Sequence, residues 1–246
     1  MNRAVLVTGA SRGIGAGVVR AFATAGERVA VHYSVARAAG DAVLASLPGE
    51  GHILVQADLA DPDAVRRMVD EVAAGLGGLD VLVNNAGIYL SNEITEDDYA
   101  AWQRAWRQVL DVNLLGAANA TWCAVRHMGR GGRIVNISSR GAYRGEPEHL
   151  SYGASKAALN SFTQSLARAL GRYGIAVTAL APGFVETDMA EEFLAGPEGD
   201  AIRAQSSFGR VATVDEVARA VLFLASPDVE FHSGAILDVN GASYLR

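Results

Sequence analysis

The chain has 246 residues, 50% of them apolar and 20% charged, with a formal net charge of −6. That balance supports a large core under a polar surface, and the acidity, with no Lys/Arg block of footprint size, argues against a nucleic-acid partner. The lone cysteine, Cys123, excludes an intrachain disulfide, and no apolar stretch approaches the ~20 residues of a membrane-spanning helix.

Met1-Asn2-Arg3 leads straight into an apolar run too brief for a signal-peptide core, so a cytoplasmic protein is expected. Short β-branched runs at 4–8, 28–33, 53–57, 81–84, 133–138, 176–180 and 235–239 predict strands. Between them, 13–25, 37–47, 63–76, 99–128, 152–172 and 214–225 have the length and periodicity of helices. Thr213 with Glu216 forms a capping box, Asp61-Pro62 opens a helix, and Pro227 stops one. Cys123 falls inside a packed helix and reads as an inert thiol. Near-continuous apolar strands, such as Val81-Leu82-Val83, are expected where helices cover both faces of a parallel sheet. The alternation therefore predicts an α/β chain: one doubly wound Rossmann domain over 1–246, with the Gly/Pro/Glu-rich 196–200 inside a long connection.

Directly after the first strand comes Thr8-Gly9-Ala10-Ser11-Arg12-Gly13-Ile14-Gly15. Glycines there let the backbone turn tightly and approach a pyrophosphate, whose charge suits the amides and dipole of the following helix N-terminus. On the first βα turn of a doubly wound pattern this predicts dinucleotide binding. Farther on, Tyr152 and Lys156 are four apart on a predicted helix and project from one face. An ammonium beside a phenol favours phenolate and is expected to bring Tyr152 toward neutral pH.

Taken in order, TGASRGIG at 8–15, Asp58-Leu59, Asn84-Asn85-Ala86-Gly87, Asn113, Ser139, Tyr152-xxx-Lys156 and Pro182-Gly183 closely resemble the short-chain dehydrogenase/reductase family. The likeness covers essentially the whole chain and is strongest to the 3-oxoacyl carrier-protein reductases and their relatives of other specificity. It implies a parallel sheet of about seven strands, a homotetramer, and hydride transfer between a nicotinamide and a carbonyl, alcohol or acyl thioester. By resemblance, Tyr152 is the acid/base, Ser139 orients the substrate oxygen, Lys156 also holds the ribose, and Asn113 anchors a water relay. Ser138 is the neighbouring alternative to Ser139, which the family's spacing selects. Gly9, Ser11, Arg12, Gly13, Ile14 and Gly15 would hold the pyrophosphate. Asp58 and Leu59 would meet adenine, Asn85, Ala86 and Gly87 would border the adenosine ribose, and Pro182, Gly183 and Thr187 would flank the nicotinamide. The set calls for no metal.

NAD-selective members place a carboxylate at the end of the second strand, where this chain has His32-Tyr33-Ser34; with Arg12, Ser34 and Arg37 nearby, NADP(H) is expected. The substrate side is expected from 88–94, 140–150 and a lid-like 184–208. Phe184, Met189, Phe193 and Leu194 either line an apolar pocket there or pack the lid. Arg140 and Arg144 are candidates for an acidic substrate or for plain surface residues, and His149 is a candidate for substrate contact or for a surface loop residue. Near the C-terminus, Val239-Asn240-Gly241-Ala242-Ser243 departs from the family's acidic residue and paired glycines. A redox-sensing NADP(H)-binding regulator without turnover is the competing function; retention of both Tyr152 and Lys156 argues against it.

Overall fold

A computed structural model describes residues 2–246. Seven strands form one all-parallel sheet in the order β3-β2-β1-β4-β5-β6-β7. They are β1 (Ala4–Val7), β2 (Arg28–Tyr33), β3 (Ile53–Gln56), β4 (Val81–Asn84), β5 (Arg133–Ile137), β6 (Ala176–Pro182) and β7 (Ile236–Val239). The predicted strands all exist, with ends shifted by a residue or two.

Alternate residues of each strand face opposite layers. Val5, Val7, Val29 and Val31 pack under α1 (Gly13–Thr24) and α10 (Val214–Leu224), against Val18, Phe22, Val217 and Val221. Leu6, Ala30, Leu82 and Ile134 face the other way, onto α3 (Pro62–Leu76) and α5 (Ala117–Ala124). Helix α2 (Arg37–Ala45) covers β2 and β3, while α7 (Leu150–Leu170) lies against β6. Gly17 lets α1 and α10 meet closely, since a Cβ there would overlap Val214. The expected caps are present: Asp61 accepts from the amides of Asp63 and Ala64, and Thr213 and Glu216 form the reciprocal box. Cys123 is buried and free.

Two expectations need correction. Helix 99–128 is not continuous: α4 (Tyr99–Leu110) passes into α5 through a π-helical segment, Asp111–Gly116. The extra residue in that turn rotates Asn113 inward, and Gly116 admits Leu59 where a Cβ would lie 2.9 Å from its backbone oxygen. The connection after β6 holds two helices, α8 (Asp188–Ala195) and α9 (Gly199–Ala204), too short for a clear period. A further short helix, α6 (Gly141–Arg144), follows β5. Among the described residues no helix is long and apolar enough to cross a membrane.

The strand order reverses at β1, which pairs with β2 on one side and β4 on the other. A crevice opens at the carboxyl ends of such strands, where their loops part in opposite directions.

Candidate active site

The glycine turn lies in that crevice. Gly9 (φ +64°) and Gly13 (φ +53°) adopt left-handed backbone that favours glycine. A Cβ on Gly9 would sit 2.8 Å from Ala86 Cα, and one on Gly15 would strike the Gly9 carbonyl and lie 2.6 Å from Asn85 Nδ2. Asn85 clasps the turn by donating to the carbonyls of Thr8 (2.9 Å) and Gly9 (3.1 Å), while Thr8 Oγ1 accepts from the Asn85 and Ala86 amides. Helix α1 begins after Arg12 with no side-chain cap. Its leading amides and dipole thus face the cavity without a protein acceptor, a fit for a phosphate group.

His32, read only as a missing carboxylate in the sequence, is a structural partner of this turn. Its Nδ1 accepts from the Gly9 amide at 2.8 Å and its Nε2–H donates to the Ala57 carbonyl at 3.1 Å, which fixes the tautomer. Burial lowers its pKa from 6.5 to about 4. The folded value lies below the unfolded one, so the unfolded chain binds the extra proton in that window, and stability present above pH 6.5 falls as pH drops toward 4. The shift corresponds to about 3 kcal/mol. Urea titrations at pH 7 and pH 4 should show that loss in the wild type and a much smaller one in His32→Asn; equal losses would contradict it.

A cavity of about 440 Å³ runs from the glycine turn to the start of α7. Ser139, just past β5, and Tyr152, in the first turn of α7, both line its wall. The Gly141 amide donates to Ser139 Oγ at 3.0 Å. Ser138 also borders the cavity, but its hydroxyl is engaged, donating to the Lys156 carbonyl at 3.3 Å. Lys156 Nζ donates to the Ile137 carbonyl at 2.8 Å and stands 5.6 Å from the Tyr152 ring centre.

Asn113, buried behind this wall, accepts from the Ile88 amide at 2.8 Å and donates to the Ile88 carbonyl (3.0 Å) and Ser155 Oγ (3.2 Å). Its oxygen and Lys156 Nζ would each lie 3.4 Å from a Cβ on Gly87, the residue between them. The Asn113 side chain thus holds the strand-end loop in place over the lysine. It does not line the cavity.

The electrostatics differ from the simple expectation of a lysine-activated phenol. Tyr152 is pushed up to about 12, by burial first, with Ser139 opposing and the charge of Glu146 adding to the rise. Lys156 is pushed down to about 8 by burial. Desolvation penalises the charged form of each group and is the first cause of both shifts. The protein alone therefore holds Tyr152 as a proton donor.

Most expected cofactor residues converge on the cavity. Ser11, Arg12 and Ile14 join the glycines at one end, with Ser34, Asp58 and Leu59 beside them. Ala86 and Gly87 form the middle, and Pro182, Gly183 and Thr187 stand opposite Tyr152. Gly15 sits behind the turn. Arg37 does not reach the cavity: it is exposed and pairs along its own helix with Asp41 at 3.5 Å, because α2 starts by pointing its first side chain to solvent.

The substrate end holds residues that sequence reasoning left undecided or missed. Phe184 and Phe193 line it, whereas Leu194 does not; the Met189 side chain lies outside the described residues. Arg140 is buried, 4% exposed, donating to Ser243 Oγ and Gln205 Oε1 at 2.6 Å each. His149 is no surface residue either: it is buried and stacked on Tyr89, ring centres 3.6 Å apart and 11° from parallel. Tyr89 in turn meets Tyr152 edge-on at 4.7 Å. Tyr89 and Glu146 carried no motif signal; only the fold brings them to Tyr152.

Comparison with known proteins agrees with this arrangement. The family model described as enoyl-(acyl carrier protein) reductase matches residues 9–242. The chain is 36% identical to 3-oxoacyl-acyl-carrier-protein reductase FabG of Staphylococcus aureus, over 100% of this chain and 99% of that one. A short-chain dehydrogenase from Burkholderia cenocepacia, solved in complex with NADP, superposes with a TM-score of 0.90 at 39% identity, covering 98% of this chain and 97% of that one. A blue fluorescent protein from a metagenomic library, solved with NADPH, superposes with a TM-score of 0.90 at 36% identity, with 99% of each chain covered. The match over essentially the whole chain in sequence and fold, with most of the ordered motifs around one cavity, makes this chain an oxidoreductase of the short-chain dehydrogenase/reductase family.

Proposed function

We propose that the protein is an NADP(H)-dependent carbonyl reductase, with Tyr152 as the proton donor. The observation that carries this reading is the meeting of Ser139 and Tyr152 on one wall, with Lys156 behind them, in a cavity whose far end is an uncapped helix N-terminus. The nicotinamide, when bound, supplies the hydride. Ser139 and Tyr152 both hydrogen-bond the substrate oxygen, and Tyr152 releases its proton to that oxygen as negative charge develops there. Lys156, held against the Ile137 carbonyl, orients the ribose and stabilises the phenolate left behind. Asn113 is a positioning residue that holds Ile88, and with it the loop carrying Gly87, in place over the lysine. In the oxidative direction the same tyrosine takes the proton.

The cofactor preference rests on the end of β2. Ser34 lines the cavity where a carboxylate would repel a 2′-phosphate, and Arg12 is exposed at the same rim. A charge-assisted hydrogen bond contributes about 1.5 kcal/mol or more, roughly tenfold in affinity. Steady-state kinetics should therefore favour NADPH over NADH in the wild type. Arg12→Ala should lose about tenfold in kcat/KM with NADPH and little with NADH. Equal efficiency of the two cofactors in the wild type would reject the preference.

The support for α8 and α9 as a lid over the substrate end is Phe193, which reaches Tyr89 at 6.2 Å between ring centres. We place the enzyme in the cytoplasm as a single catalytic domain spanning the chain. A homotetramer is the assembly its family membership suggests. A panel of ketones, quinones, sugars and acyl thioesters, followed by loss of NADPH absorbance, tests the reaction class.

A further inference from the structure

Glu146 lies in the loop between α6 and α7, and its side chain is only 14% exposed. It lines the cavity beside Tyr152. The fold has made room for it: Gly141 has no side chain, and a Cβ there would overlap the Glu146 carboxyl. Gly141 is also the residue whose amide donates to Ser139, so the carboxyl lies one residue from the group that orients the reacting oxygen. Burial raises its pKa, while Arg144, Arg140 and the Tyr89 hydroxyl oppose the rise. The nearest cationic nitrogen, Arg144 Nη2, is 3.9 Å away, beyond hydrogen-bond distance. The carboxyl accepts several hydrogen bonds and therefore has capacity open to the cavity it lines.

A bare acyl chain laid against this carboxyl would strip its water and return no hydrogen bond, which is unfavourable. A substrate with a hydroxyl near its carbonyl would replace the lost water. Sites built to hydrogen-bond a substrate group discriminate strongly against analogues that lack it. From the placement of Glu146 between Gly141, Tyr89 and the cavity, we infer that this enzyme reads a hydroxyl next to the reacting carbonyl, and that its substrates are hydroxyketones rather than simple 3-oxoacyl chains. Glu146 is the specificity-determining residue, and the space left by Gly141 admits it.

This inference rests on the reductase reading, and the test separates the two. Two matched pairs serve as probes: 2-hydroxyacetophenone with acetophenone, and hydroxyacetone with acetone. A short 3-oxoacyl thioester, acetoacetyl-N-acetylcysteamine, is the third probe. The wild type should favour each hydroxyketone over its partner by about tenfold to hundredfold in kcat/KM, and over the thioester as well. The ratio within each pair should fall to a few-fold in Glu146→Gln and vanish in Glu146→Leu. Thermal melting reports whether each variant folds, and the glutamine variant decides alone if the leucine variant does not. Equal kcat/KM within the pairs for the wild type, a preference for the thioester, or an unchanged ratio in a folded variant would overturn the proposal. If no probe consumes NADPH, the reductase reading fails for these carbonyls. Calorimetric binding of the same pairs to the NADPH-loaded protein then decides Glu146: a hydroxyl preference lost in the variants supports it, and equal affinities in the wild type overturn it.

Discussion

Replacing Tyr152 with Phe should lower turnover by about a thousandfold or more, within the span that general acid catalysis contributes, while leaving the fold intact. Phenylalanine keeps the ring that Tyr89 meets edge-on at 4.7 Å, so packing at the start of α7 is preserved. What it removes is the hydroxyl proposed as the proton donor, which lines the cavity with Ser139. Because burial and Glu146 hold the phenol at about 12, the wild-type donor stays protonated across the neutral range. The pH dependence of reduction then follows Lys156, whose burial sets it near 8. The ammonium is charged below that value and neutral above it. Efficiency should thus be flat below pH 8 and decline above it, as the stabiliser of the developing phenolate loses its charge. Stopped assays from pH 6 to pH 10, with cofactor binding measured separately, check both parts. A variant retaining a tenth of wild-type turnover would remove Tyr152 from the chemistry. A protein that binds NADPH and turns over no carbonyl would revive the regulator.

The layered sheet was legible because its signals are local. Apolar runs such as 4–7 and 81–83, a glycine turn and strong caps each specify their own segment. The Ser139, Tyr152 and Lys156 set was legible through order and spacing, since a strand end and a helix turn fix where those side chains point. What stayed hidden depends on contacts between distant segments. The π-helical turn around Asn113 reflects packing of Gly116 on Leu59, which no periodicity within 99–128 records. Arg140 looked like a surface arginine until its partners appeared: Gln205 and Ser243 come from the lid and from the C-terminal stretch that departs from the family pattern. Those two oddities of sequence are one structural feature, a buried guanidinium and the hydroxyl that receives it. Arg37 erred the other way, because nearness in sequence to Ser34 did not bring it to the cavity.

Gly15→Ala sets two physical tendencies against each other, and its outcome shows which governs the cofactor turn. Within a helix, alanine is favoured over glycine by up to about 1 kcal/mol, so propensity alone predicts stabilisation. The added methyl, however, would overlap the Gly9 carbonyl, lie 2.6 Å from Asn85 Nδ2 and 2.9 Å from Ala10 Cα. Two of those atoms are backbone in a turn already held at positive φ, and the third belongs to the side chain that clasps it. Little can retreat, and overpacking of this kind costs about 1–3 kcal/mol. Overlap should win: we expect a net loss of about 2 kcal/mol in urea unfolding. NADPH affinity, read by fluorescence titration, should weaken by about a hundredfold as Asn85 is driven from Thr8 and Gly9 and the turn opens; that corresponds to about 2.7 kcal/mol. Gly171→Ala is the control, since a Cβ there meets nothing within 4 Å and the backbone is not left-handed, so propensity acts unopposed and stability should hold or rise. Wild-type NADPH affinity in a folded Gly15→Ala would mean that the close approach of α1 to the strand-end loop is not what shapes the phosphate site.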